Sequence, residues 1–372
     1  MYLSNPEVQE IVRATKELNS SEGRVVFIVM GEKSTVNVPE LISGLNDEKI
    51  NFFGGIFPGV IYDEKQTDSG VVLESFPVLY GPYVINDLDR NDFQLPEFTA
   101  IHGEADKKHS ALILVDGLTG NIADFLSQLF SRLARSVNYF GGGAGSISLE
   151  QKPCLFSPQG FFQDAAIVTF LALECKLGVR HGWERIMGPL VATKTSKNRV
   201  IELNWQKAYD VYREIVEDNS EKKFTANNFF DIAKGFPFGM LKDYVECVVR
   251  DPIAVGEEGE LICVGEVPEN SVLDILKGTD TALIEAAGQA AADCMEAKGE
   301  KITHTMVIDC ISRVLFLEKN FPVELKKVKQ NLSAICEDIL PFGMLTLGEI
   351  SSYGEGYLEF FNKTIVTGVF YE

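Results

Sequence analysis

The segment PFGMLTLGEISSYGEGYLEFFNKT, residues 341–364, decides how this chain is read. It has the pattern of two strands around a Gly-rich turn. Side chains alternate faces along a strand, so Leu345, Leu347 and Glu349 share one face, while Met344, Thr346, Gly348 and Ile350 share the other. Beyond the turn, Leu358, Phe360, Asn362, Thr364 and Val366 line a single face. A hairpin that pairs Ile350 with Tyr357 sets Asn362 opposite Leu345, about 13 Å from Glu349 at roughly 3.3 Å per residue. In that register the two line one groove without touching. Moving an unpaired amide out of water costs about 2–7 kcal/mol depending on the reference state, and an unpaired carboxylate more. These groups therefore need partners, either within the protein or in a ligand.

The opening Phe-Gly of this segment recurs along the chain. A short apolar strand, an amphipathic helix and a strand that starts with an aromatic and a glycine form one unit. The copies are RVVFIVM (24–30) with FFGGIFPG (52–59), SALILVDG (110–117) with YFGGGAGS (139–146), and THTMVIDC (303–310) with PFGMLTLGE (341–349). Each is followed by a further strand: GVVLESF, AAIVTFLAL and NKTIVTGVF. FPFGML (236–241) is a fragment of the same kind. The intervening helices show one apolar stripe each, Ile122–Phe125–Leu126–Leu129–Phe130–Leu133 and Phe321–Leu325–Val328–Leu332–Ile335. Asn121 with Asp124 reads as a capping box with a shortened acid, and Pro341 stops the later helix. A further helix, about 279–298, is rich in Ala and Gly, which lets another element approach closely. The expectation is an α+β (mixed α/β) fold of repeated β-α-β-β units, with mixed, largely antiparallel sheets covered by helices. Two halves are expected, 1–200 and 201–372, joined through HGWERIMGPL and the polar run TKTSKN as a solvated connector.

The 372 residues, 45% of them hydrophobic, can bury a large core. No apolar run is long enough to span a bilayer, and residues 1–20 lack the apolar core of a secretion signal. Seven scattered cysteines without a C-x-x-C read as reduced thiols of a cytoplasmic protein. A net charge of −20 repels phosphate backbones and anionic lipid, so nucleic-acid binding is not expected, and the lack of a long apolar run argues against membrane insertion. His102, His109, His181 and His304 are dispersed, and no metal-ligand spacing or cofactor motif occurs. YFGGGAGS lacks the Lys-Ser/Thr of a P-loop. Its glycines, Gly142 among them, mark close approach of a backbone or a ligand, with Ser146 as a candidate contact.

Arginines supply the sharper signals. Arg313 lies in the apolar run VIDCISRVLFLEK, where a guanidinium needs an acid, and Glu349 is the most attractive partner. A closed Arg313–Glu349 pair is structural. An open one receives the carboxylate and amine of a zwitterion such as an amino acid. Arg250, in YVECVVRDPIAV, repeats the theme, with a solvent-facing edge-strand arginine as the alternative. Cys310 ends its strand without a base nearby, which favours a buried thiol over a nucleophile.

These residues resemble the pattern of FIST-domain proteins, bacterial sensory modules built of an N-terminal and a C-terminal FIST region. The resemblance runs from about Arg24 to Thr364. It is carried by Arg250, GEVPENS, DCISR with Cys310 and Arg313, GMLTLGEI with Gly348 and Glu349, FNKT with Asn362 and Thr364, and the Gly-rich YFGGGAGS; FFGGIFPGVI departs from it. It implies a signal-input protein that binds a small ligand, with amino acids favoured, in a cleft lined by the C-terminal half. The output would then be a separate signalling protein. The alternative is a hydrolase or transferase using Cys310 or the Arg313/Glu349 pair.

Overall fold

The computed structural model describes every residue except 20, 99–108, 242–246, 339 and 353–357. His102 and Tyr357 lie outside the described residues. The rest forms three sheets of eleven, six and seven strands with helices packed against them, an α+β fold. Three strand pairings are parallel, and the other described pairings are antiparallel.

Three units share one topology. Arg24–Gly31 runs parallel to Phe52–Phe57 and antiparallel to Val71–Ile85. His109–Asp116 stands in the same way between Val137–Ala144 and Ala166–Leu171. Ile302–Cys310 stands between Phe342–Thr346 and Ile365–Tyr371. The crossovers are helical, as parallel neighbours require, through Val38–Asp47, Ile122–Leu133 and Phe321–Ser333. The recurring glycine has a steric cause. Gly54, Gly141 and Gly343 face Ile28, Ile113 and Val307. A Cβ at each would meet that residue's carbonyl oxygen at 2.2, 1.7 and 1.7 Å. FPFGML is not a fourth copy: Phe238–Met240 is antiparallel to both of its neighbours.

Each unit gives away a hairpin. The strands Gly59–Tyr62 and Lys65–Thr67 leave the first unit and pair with Phe342–Thr346 of the third. Leu155–Ser157 and Gly160–Phe162 leave the second and pair with the first at Phe52–Phe57. Glu349–Ser352 and Leu358–Phe361 leave the third and pair with the second at Val137–Ala144. The exchange is cyclic, so sheets contain strands from both sides of residue 200.

This exchange corrects the reading of residues 341–364. The segment is not one strand and a return within one sheet. It leaves the six-stranded sheet after Thr346, enters the eleven-stranded sheet at Glu349, and returns after Phe361. The outward crossing turns at Gly348 (φ 125°) and the return at Lys363 (φ 54°). Leu345, Leu347 and Glu349 therefore share no common face. Ile350 pairs with Phe360 rather than with Tyr357, which moves Asn362 from opposite Leu345 to the crossing beside Glu349.

The connector is also structured. Glu184–Ser196 is a strand of the seven-stranded sheet, paired with Val272–Lys277 and Arg199–Leu203. Two basic residues of this region have acid partners: Arg185 pairs with Asp274, and Arg199 with Glu260. The small residues of Asp280–Asp293 serve as expected: a Cβ on Gly178 would meet Ala290 O at 1.8 Å. Among the described residues no helix is long and apolar enough to cross a membrane.

Candidate functional site

Arg313 is structural, and its partner is not Glu349. The strand ends at Cys310, and Arg313 sits on the short helix Ile311–Leu317, fully buried. A guanidinium has five N–H donors, and all five are engaged. Nε and Nη2 donate to Glu324 at 3.1 and 2.5 Å, and Nη2 also donates to Leu283 O at 3.0 Å. Nη1 donates to His181 O at 2.6 Å and Lys363 O at 3.2 Å. Asp309 lies 3.3 Å from Nε. Sequence reasoning missed Glu324, although it falls on the apolar stripe with Phe321, Leu325 and Val328, where a lone acid needs a cation.

Glu349 is held by the crossing itself. Thr346 Oγ1 lies 2.7 Å from Oε1, and the Thr364 amide donates to Oε2 at 3.2 Å. In the other two hairpins the corresponding residues, facing the position after the unit's glycine, are Val60 and Leu155. A carboxyl thus replaces an aliphatic side chain. Burial pushes its pKa up to about 8, against hydrogen bonds that lower it. The geometry accommodates the proton. Thr346 has one hydroxyl hydrogen and two contacts, Glu349 and Asp309 O at 3.2 Å. A protonated Glu349 donates to Thr346, which donates onward to Asp309 O.

A pH dependence follows. The unfolded glutamate ionises near its ordinary 4.5 and the folded one near 8. Between these values the folded state holds the extra proton, so stability falls as pH rises through the window, by up to about 1.4 kcal/mol per pH unit. Asp309, also raised by burial, adds to the same trend. Urea denaturation at pH 5, 6.5 and 8 is expected to show Glu349→Gln with a flatter profile than the parent and a stability advantage at pH 8.

The open chemistry lies nearby, in a cavity of about 820 Å³. One wall is the loop and helix start at 117–123, and the other comes from Val248–Val255, Leu261–Val264 and residues 310–315. These walls include the C-terminal ends of the first strands of two units, where open α/β sheets place their ligands. Of the predicted site residues, Arg250, Cys310 and Asn362 line it. Arg313, Glu349, Thr364, Gly348, Gly142 and Ser146 do not. Gly142 is a close-approach glycine, but toward protein: a Cβ there would meet Thr346 Cγ2 at 2.6 Å. The Ser146 hydroxyl bonds Ser148, and that of Thr364 donates to Asn362 O.

Arg250 is not on an edge. Its strand lies between Phe238–Met240 and Leu261–Val264, and it is buried. Nε donates to Glu266 O at 2.8 Å, and Nη1 donates to Val249 O and Phe360 O at 3.0 and 3.1 Å. Nη2 has no protein partner among the described residues, and no carboxylate there lies within ion-pair distance. Asp251 beside it is taken by Lys363 Nζ at 3.0 Å. Asn362, 1% exposed, has neither its amide nitrogen nor its oxygen bonded among the described residues. Gly265 (φ 81°) keeps the space between them: a Cβ there would meet Arg250 Nε at 3.0 Å and Asn362 Oδ1 at 3.1 Å.

The opposite wall was not foreseen. Thr119, 8% exposed, has a hydroxyl with no hydrogen bond among the described residues. Asn121 does not cap the helix Ile122–Leu133: it adopts φ 57°, and its amide donates to Leu88 O. The positive end of that helix is therefore left without a side-chain cap at the cavity. The Gly- and Asn-containing turn DGLTGN between an apolar strand and a helix was the available signal. Burial meanwhile pushes the Cys310 thiol well above its ordinary value, the reverse of an activated nucleophile. At pH 7, iodoacetamide is expected to label Cys310 more slowly than the half-buried Cys336.

A family model described as the FIST N domain matches residues 24–206, and one described as the FIST C domain matches residues 208–352. Comparison with curated proteins finds no match.

Proposed function

The chain belongs to the FIST family, whose domains are associated with sensory and signal-transduction proteins, and on that premise we propose that it is a cytoplasmic signal-input protein whose cavity binds a small carboxylate-bearing ligand, amino acids among the candidates. The observation that carries this reading is Asn362, a buried amide beside the cavity with no hydrogen bond among the described residues. Leaving such a group unpaired costs about 1–3 kcal/mol, a cost that a ligand's polar atoms remove. Arg250, with Nη2 free, takes the carboxylate in place of Arg313, whose donors are spent on the fold. Glu266 is the acid at the cavity that would meet an ammonium. A ligand bridging the 117–123 loop and the Arg250 strand favours the arrangement in which the two walls are close. That arrangement is then read by a separate signalling partner. The seven cysteines, none of them in a disulfide among the described residues, suit a reducing compartment.

The test is a thermal-shift panel of small metabolites on the full chain, repeated with Asn362→Leu. A ligand that binds only the folded state raises the midpoint. The parent should respond to at least one carboxylate. The variant should lose the response while gaining about 1–3 kcal/mol of intrinsic stability, because the unpaired amide is gone. A panel without any shift, or a variant that responds like the parent, refutes the proposal.

A further inference from the structure

We infer that the ligand of this cavity is an apolar monocarboxylic acid, with one anionic head at Arg250 and Asn362 and a hydrocarbon body filling the remaining volume; this rests on the small-ligand reading above. Three observations converge. The first is charge. In a protein of net charge −20, the charged side chains lining this cavity are Lys197, Arg250 and Glu266. The lining residues therefore bring two cations against one anion, and the N-terminal end of the helix Ile122–Leu133 faces the same space, with Asp124 in its first turn offsetting part of that dipole. That favours an anion over a neutral or cationic guest.

The second is the unpaired polar inventory. Nη2 of Arg250 offers donors, the Asn362 amide offers donors and an acceptor, and the Thr119 hydroxyl offers one of each. Asn362 is buried and unbonded, so the helix end is not the only sign of a ligand. One guanidinium with one amide matches one carboxylate.

The third is size and lining. A cavity of about 820 Å³ lies in the upper part of the range of about 300–1,000 Å³ that receives drug-sized ligands. A small amino acid would leave most of it unfilled. Away from the polar groups the walls are aliphatic and aromatic, among them Leu118, Ile147, Phe230, Ile253 and Leu315. Each methylene buried there contributes about 0.8 kcal/mol, a fourfold gain in affinity. Extra hydrocarbon therefore raises affinity until the space is full.

Isothermal titration calorimetry on the full chain tests this with butanoate, hexanoate and octanoate. Octan-1-ol, octylamine and 2-aminooctanoate serve as matched controls. Kd is expected to fall about fourfold per added methylene along the acids. Octanoate should bind roughly 10- to 100-fold more tightly than octan-1-ol, the range for hydrogen bonds to a charged group, and more tightly than 2-aminooctanoate. Arg250→Gln should abolish the preference for octanoate over octan-1-ol while leaving octan-1-ol binding in place. That retained binding also shows that the variant is folded. Should Arg250→Gln not fold, Gly265→Ala, which crowds Arg250 and Asn362, is read in the same way. Tighter binding of 2-aminooctanoate than of octanoate overturns the monocarboxylate assignment and leaves the sensory reading intact. So does binding of a panel compound with no binding of any acid in the series. Octanoate binding that both variants leave unchanged places the acid elsewhere and overturns it too. No binding by the series or by the panel defeats both.

Discussion

Replacing Arg313 with alanine is expected to unfold the protein under mild conditions rather than to blunt a response to ligand. The side chain is fully buried, and its five donors satisfy Glu324 and three main-chain carbonyls, with Asp309 alongside. Truncation leaves buried carboxyls without their cation and carbonyls without donors. Breaking a buried pair from one side costs about 3–5 kcal/mol, a large share of the roughly 5–15 kcal/mol that holds a typical domain together. Denaturant titration of Arg313→Ala checks the size of the loss. The double variant Arg313→Met/Glu324→Met should lose less than Arg313→Met alone, because it removes the stranded acid as well. Equal losses would show that the pair does not account for the cost.

Gly141→Ala should be comparably severe. The new methyl would stand 1.7 Å from Ile113 O, at a backbone φ of 152°. The obstacle is main chain within a sheet and cannot swing aside. A loss of about 4 kcal/mol or more is expected, the far tail for a point substitution. Gly343→Ala meets Val307 O at the same distance and should behave alike. Gly120→Ala is the control, since its nearest neighbour would be 4.0 Å away. Circular dichroism melts of the three variants separate a steric cause from a general intolerance of glycine replacement. Similar melts for Gly120→Ala and Gly141→Ala would remove the steric explanation for the repeated motif.

The candidate site was legible only in part. Arg250, Cys310 and Asn362 stood out in the sequence because polar or reactive groups interrupt apolar runs, and all three line the cavity. The same signal pointed with equal force to Arg313, Glu349 and Thr364, which are spent on the fold. A single strand pattern shows that a buried polar group needs a partner. It does not show whether that partner is a protein atom. Glu324, on the helix that follows Arg313, closed the one arginine, and nothing in the described chain closes Nη2 of the other.

By itself the sequence determined the local units: strand, amphipathic helix, Phe-Gly strand and antiparallel return, three times over. These rest on periodicity, which acts between residues close in the chain, and on one steric demand between the two parallel strands of the same unit. The family resemblance also came from these residues, and the family models that match 24–206 and 208–352 bear it out. Only the tertiary structure decided the cyclic hairpin exchange, the register that brings Asn362 beside Glu349, and the cavity between Thr119 and Arg250. The exchange and the cavity depend on pairings between segments that lie far apart in the chain, and the register on where the hairpin crosses between sheets. A three-residue change in register, or a hairpin crossing to another sheet at one glycine, leaves the local pattern of apolar and polar residues unaltered while changing every partner that a polar side chain meets.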